Sequence, residues 1–119
     1  MQIPTFLLRK LYLKGSLENV DDGFVFKIKN TLSPGTVTVM EPIKVNGTEY
    51  PLDALTVKIE DSEYTASDVN EGSAMPLKVG VEIALHIKTD PLPEGEHTID
   101  IALVTKEAGR LAFDVKDAI

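Results

Sequence analysis

Two histidines, three tyrosines and a few neighbouring carboxylates are the side chains of this chain best suited to chemistry. His86 and His97 could act as general bases or metal ligands, but neither has a nucleophile or a carboxylate at ligand spacing beside it in the sequence. An enzyme built on either would have to bring it within hydrogen-bond reach of an Asp or Glu in a cleft. The plainer reading puts His86 on the polar side of a strand and has His97 open a strand beside Gly95. Tyr12, Tyr50 and Tyr64 are far apart in sequence, so they can stack a sugar only if distant loops bring them onto one concave face. With the two histidines they are the candidate contacts of a ligand-binding module.

The carboxylate pairs Asp21-Asp22, Glu60-Asp61 and Glu94 with Glu96 lie next to turns, where charged groups are ordinarily solvated. None alternates oxygen ligands around a glycine as a calcium loop does. The chain has no cysteine, which excludes disulfides, thiolate nucleophiles and cysteine-type metal sites. Gly35, Gly47, Gly80 and Gly95 are too scattered to cradle a phosphate. Asn46-Gly47-Thr48 fits the glycosylation sequon, but Asn-Gly already explains itself as a turn. The expectation is no catalytic residue, no metal and no cofactor.

These residues are carried by 119 positions, enough for one core and too few for two, so residues 1–119 read as a single domain. Hydrophobic residues at 43% and charged residues at 26% are ordinary for a globular chain. The formal net charge of −7 repels phosphate backbones and anionic lipid, which argues against a nucleic-acid or membrane partner. Between Met1 and Leu13 the apolar run Ile3 to Leu8 is cut by Pro4 and followed, not preceded, by Arg9 and Lys10, unlike a secretion signal. A cytoplasmic location is expected.

Period-two alternation recurs in segments of strand length, which predicts an all-β antiparallel sandwich, immunoglobulin-like or jelly-roll-like, of about 7–9 strands. Phe24, Phe26 and Ile28 alternate with Val25, Lys27 and Lys29. Val81, Ile83, Leu85 and Ile87 make a second apolar row, Ile99, Ile101 and Leu103 a third, and Leu111, Phe113 and Val115 a fourth. Thr36 to Val45 is rich in β-branched residues and meets Pro42, where a bulge or an edge is expected. Asn46-Gly47 predicts a tight hairpin returning through Thr48 to Tyr50. A second hairpin is expected at Asp61-Ser62, bringing Val57, Ile59 and Tyr64 together. Ala66 to Glu71 reads as one helical turn capped by Ser67 or Asp68. At the N-terminus Ile3, Phe6, Leu7 and Leu11 suit a helix opened by Pro4, whereas Leu7 to Leu13 equally suits an edge strand; a strand from Leu8 onward is preferred.

Ser16-Leu17-Glu18-Asn19, Gly23-Phe24-Val25-Phe26, Ile43 to Pro51 and Leu92 to Ile99 follow one another in an order that resembles the small β-subunit of the bacterial C-glycoside deglycosidases. The resemblance spans roughly residues 16 to 104. It implies a β-sandwich that assembles with a metal-dependent TIM-barrel subunit holding the chemistry. Asn30 to Val37 departs from that pattern, which would have an aromatic, arginine-containing loop there.

These observations favour a non-catalytic accessory or assembly subunit that packs against itself or against a TIM-barrel enzyme through a sheet face. Val25, Val37 and Val39 are the candidate interface, being apolar on what should be the outward side of their strands. A stand-alone sugar or small-ligand module is the alternative, and an enzyme in its own right comes third.

Overall fold

The computed structural model describes residues 3–119; Met1 and Gln2, the head of the segment weighed above as a leader, lie outside the described residues. A short helix, α1 (Thr5–Arg9), comes first. Eleven strands follow: β1 (Glu18–Val20), β2 (Gly23–Lys29), β3 (Gly35–Met40), β4 (Lys44–Val45), β5 (Thr48–Glu49), β6 (Leu55–Ile59), β7 (Ser62–Thr65), β8 (Met75–Leu77), β9 (Glu82–Lys88), β10 (Glu96–Thr105) and β11 (Gly109–Ala118). All pair antiparallel. The count exceeds the expected 7–9 because several pieces are only two or three residues long.

Sheet one runs β1-β2-β9-β6-β7. Sheet two is built around β10, with β11 along one side and β3 and β4 end to end along the other, backed in turn by β8 and β5. The Thr36 to Val45 segment thus serves as one long strand broken at Glu41-Pro42-Ile43, with a register shift opposite Val104 and Thr105. The break falls at Pro42, which has no N–H for a ladder.

The two sheets bury the four alternating rows against each other. Phe24, Phe26, Ile83, Leu85, Ile87 and Val57 of sheet one meet Ile99, Ile101, Val37, Met40, Phe113 and Val115 of sheet two, all of them buried. Each such side chain contributes about 1.5–3 kcal/mol, so this interlayer contact is the main source of stability. At the start of β2, a Cβ on Gly23 would come within 1.8 Å of the Ile87 carbonyl oxygen, so only glycine fits there.

Four expectations are corrected in detail. The strand expected from Leu8 is helix through Arg9; only Leu11 to Leu13 pairs with β2, through Lys29 N–H to the Leu11 carbonyl (2.7 Å) and Leu13 N–H to the Lys27 carbonyl (3.0 Å). The turn of the β6–β7 hairpin is Glu60-Asp61, one residue earlier than expected, with Glu60 at φ 52°. The helical turn after β7 is a 3-10 turn over Ala66–Asp68 in which Ser67 and Asp68 lie inside and make no side-chain cap. Val37 belongs to the core, because the bulge at Thr38 reverses the alternation within β3.

The N-terminal segment closes one side of the sandwich. Its Leu11 to Leu13 stretch lies along β2 of sheet one, while α1 packs beside β11 of sheet two. On the opposite side, between β7 and β8, no segment among the described residues gives such cover.

Candidate functional site

The densest polar cluster sits where the N-terminal segment meets β11. In β11 the odd-numbered residues point inward, so Asp117 follows Leu111, Phe113 and Val115 onto the core side and is buried. Its Oδ2 accepts the Tyr12 hydroxyl (2.6 Å), the Gly15 N–H (2.9 Å) and the Leu17 N–H (3.3 Å), and its Oδ1 accepts the Ala118 N–H (2.9 Å). Burial pushes this carboxyl upward, but the Tyr12 hydroxyl and the three backbone N–H groups outweigh it and hold Asp117 below the ordinary carboxylate range. Burial, and then the neighbouring carboxylate, push the Tyr12 phenol upward. A phenol that holds its proton beside an ionised acceptor is a staple between chain segments. Four donors from the fold already bond the buried Asp117 carboxylate, so the cluster is committed to joining chain segments.

His97 forms the second cluster and is also buried. Asn46, at φ 53° in the hairpin with Gly47 at φ 84°, accepts the Thr98 N–H through Oδ1 (3.0 Å). That orients its amide nitrogen to donate to His97 Nδ1 (2.8 Å), so Nε2 carries the hydrogen and donates to the Pro93 carbonyl (2.7 Å). Both ring nitrogens are occupied, and the imidazole ties the Asn46 hairpin to the loop before β10.

The remaining candidates do not converge. His86 lies on the outer face of sheet one with Nε2 at 2.9 Å from Asp22 Oδ1, but on an open surface and not in a cleft. Tyr50 packs edge-on against Phe24, with ring centroids 5.5 Å apart, and Tyr64 lies on β7. Tyr12, Tyr50 and Tyr64 therefore form no shared platform. Val25 lies half-buried on the outer face of sheet one and Val39 exposed on that of sheet two, so with Val37 in the core the three valines are not one patch.

Two hollows adjoin these elements. An apolar cavity of about 70 Å³ opens between α1 and the Asn30 to Gly35 loop, lined by Leu8, Leu11, Leu77, Leu111 and Phe113. It has roughly half the volume of an engineered cavity that admits benzene. A broader groove of about 470 Å³ lies on the outer face of sheet two. Its floor is the cross-strand pair Ala102 and Ala112, and its walls include Asp100, Asp114 and the Glu41–Arg110 ion pair (2.6 Å). The Arg110 guanidinium holds Glu41 below the ordinary carboxylate range. Among the described residues no group of three or more His, Cys, Asp or Glu is placed to hold a metal ion.

The alternation rows contained the signal for both buried clusters. His97 precedes Ile99, and Asp117 follows Val115, at two-residue spacing on the inward face, but an apolar row read only through its apolar members stops short of both.

Fold and clusters define an antiparallel β-sandwich domain whose polar side chains mainly hold chain segments together. The family model described as hydroxymethylglutaryl-CoA reductase, N-terminal domain, matches residues 7–119, and the chain belongs to that family. No curated protein matches it. The family match overturns the resemblance to the deglycosidase β-subunit, which was the ground for expecting a TIM-barrel partner. Two of the four segments that carried the resemblance, Ile43 to Pro51 and Leu92 to Ile99, are explained by turn chemistry, since Asn46-Gly47 and Gly95, at φ 122°, supply the positive φ their turns require. No helix among the described residues is long and apolar enough to cross a membrane.

Proposed function

We propose that this chain is a non-catalytic interaction domain of the hydroxymethylglutaryl-CoA reductase family, joining a reductase polypeptide to a second copy or to another chain through a sheet surface. Val39 carries this reading. It is 44% exposed on the outer face of sheet two, directly across from Val104 and close to the Ala102–Ala112 pair. Short side chains on a sheet face are suited to a second layer packed about 10 Å away. The occupied hydrogen-bonding groups of Asp117, Tyr12 and His97 support it from the other direction, because they are committed to the fold.

Purification of the native complex, with light scattering for mass and mass spectrometry for bound chains, tests the proposal. A dimer or a stoichiometric second chain is expected, and Val39→Glu should release it while leaving the circular dichroism unchanged. A strictly monomeric protein with nothing bound would overturn it.

A further inference from the structure

The open side of the sandwich has a feature that the other sheet borders lack. The edge of β8 is blunted by Pro76, which has no N–H to offer. The edge of β11 is partly covered by α1, whose Arg9 donates from Nε to the Asp114 carbonyl (3.0 Å). Strands β1 and β5 are three and two residues long. The remaining edge, β7, is four residues long and carries no proline. In a two-residue hairpin the residues flanking the turn exchange hydrogen bonds, so Ser62 and Tyr64 face β6 while the N–H and C=O groups of Glu63 and Thr65 face outward. The Glu63 groups and the Thr65 N–H have no partner among the described residues, whereas the Thr65 carbonyl, at the N-cap of the 3-10 turn Ala66–Asp68, takes that turn's first hydrogen bond.

A groove runs along this edge. One stretch, of about 310 Å³, lies between β7 and β8 and is lined by Ile59, Tyr64, Pro76 and Val81. The next, of about 250 Å³, continues past Thr65 to Asp68 and Val69, and Tyr64 is common to both. Tyr64 stands opposite the buried Val57, so its half-covered ring points toward the gap between the sheets, where its hydroxyl has no partner among the described residues. Glu60, Asp61, Glu63 and Asp68 border the groove, against Lys78 in its lining and Lys58 across the strand pair from Glu63, and no ion pair among the described residues engages any of the four carboxylates.

We propose that the β7 edge takes a short, extended, basic peptide strand from a partner. The peptide extends sheet one by hydrogen bonds to the N–H and C=O of Glu63 and to the N–H of Thr65. Its alternate side chains point inward over Tyr64 and outward toward the carboxylates. The same carboxylates disfavour a second copy at this edge, since that would set Glu63 against another acidic border. The inference rests on the interaction-domain reading and names the chemistry of one partner segment.

The test is a titration of the full ¹⁵N-labelled chain with the capped peptide acetyl-Lys-Val-Lys-Val-Lys-amide. Two controls accompany it: the same sequence with Glu for Lys, and the basic peptide N-methylated at alternate backbone nitrogens. Shifts confined to residues 60–68, with slowed hydrogen exchange at Glu63 and Thr65, are expected for the basic peptide alone. Glu63→Lys should weaken binding about tenfold or more. Absence of shifts at millimolar peptide, equal binding of either control, or shifts elsewhere on the molecule would overturn the proposal. A native complex that persists while the peptide fails to bind removes this inference alone, whereas a monomer that binds the peptide removes only the sheet-face dimer.

Discussion

The two sides of the sandwich solve the same problem differently. On one side the N-terminal segment lies along β2, covers part of β11 and is tied down by Tyr12, Arg9 and the backbone around Gly15. On the other, β7 and β8 face each other across a groove over which no segment among the described residues is laid. The closed side uses a buried carboxylate as a staple, and the open side protects its strands only by shortness, a proline and surface charge. Polar groups therefore stabilise this fold where they are buried and fully bonded, whereas those left free lie along an edge a partner can reach.

Removing the staple should produce the largest effect. Asp117→Ala leaves the Tyr12 hydroxyl and the Gly15 and Leu17 N–H groups without their acceptor, and urea unfolding should report a loss of about 3–5 kcal/mol. Tyr12→Phe, which removes one donor and keeps the ring against Phe26, should cost about 2 kcal/mol. A loss below that of an ordinary surface substitution would show that the closed side is held by packing alone.

Acid should act on the same side. Asp117 and Asp114 are held below the ordinary carboxylate range, Asp114 by the Arg9 guanidinium at 2.7 Å, so the unfolded chain binds more protons than the folded one as pH falls. The stability they contribute is fully present above the unfolded carboxylate value, near pH 4, and is lost as pH falls through the folded values. Urea midpoints measured from pH 7 to pH 2.5 should decline most steeply in the lower part of that range. Asp117→Asn should be less stable at pH 7 and show a shallower decline.

Smaller effects sharpen the contrast. Arg9→Ala breaks an exposed ion pair and should cost only about 0.5 kcal/mol, visible as faster hydrogen exchange in α1 more than as a shifted unfolding midpoint. Glu63→Lys on the open side should change stability by less than about 0.5 kcal/mol, since that residue is exposed and bonded to no side chain among the described residues. A large loss from Glu63→Lys would place the open edge among the stabilising parts of the fold.

The layered architecture was legible because alternation is a local property: Phe24, Phe26 and Ile28 or Ile83, Leu85 and Ile87 declare an inward face without knowledge of what they meet. Asn46-Gly47 and Pro42 were legible for the same reason, since positive φ and a missing N–H act on their own residues. The edge role of the N-terminal segment was only partly so. Its apolar spacing suits a helix as well as a strand, and the outcome depends on contacts with Lys27, Lys29 and Asp114 far along the chain. Val37 misled because one extra residue at Thr38 shifts the alternation without any mark in composition. The buried roles of His97 and Asp117 depend on Asn46 and Tyr12, partners 51 and 105 residues away, a pairing that no local pattern encodes.

That last separation bears on how the domain is made. Within the domain Tyr12 is synthesised 105 positions ahead of Asp117. The β6–β7 hairpin, a local pairing, can form while the chain is still growing. The closed side cannot, so until β11 arrives the nascent domain has Leu8 and Leu17 without the cover that strand gives them. The open edge is thus among the first parts able to mature and the stapled side the last, which makes the interval before β11 docks the period of greatest exposure to misassembly.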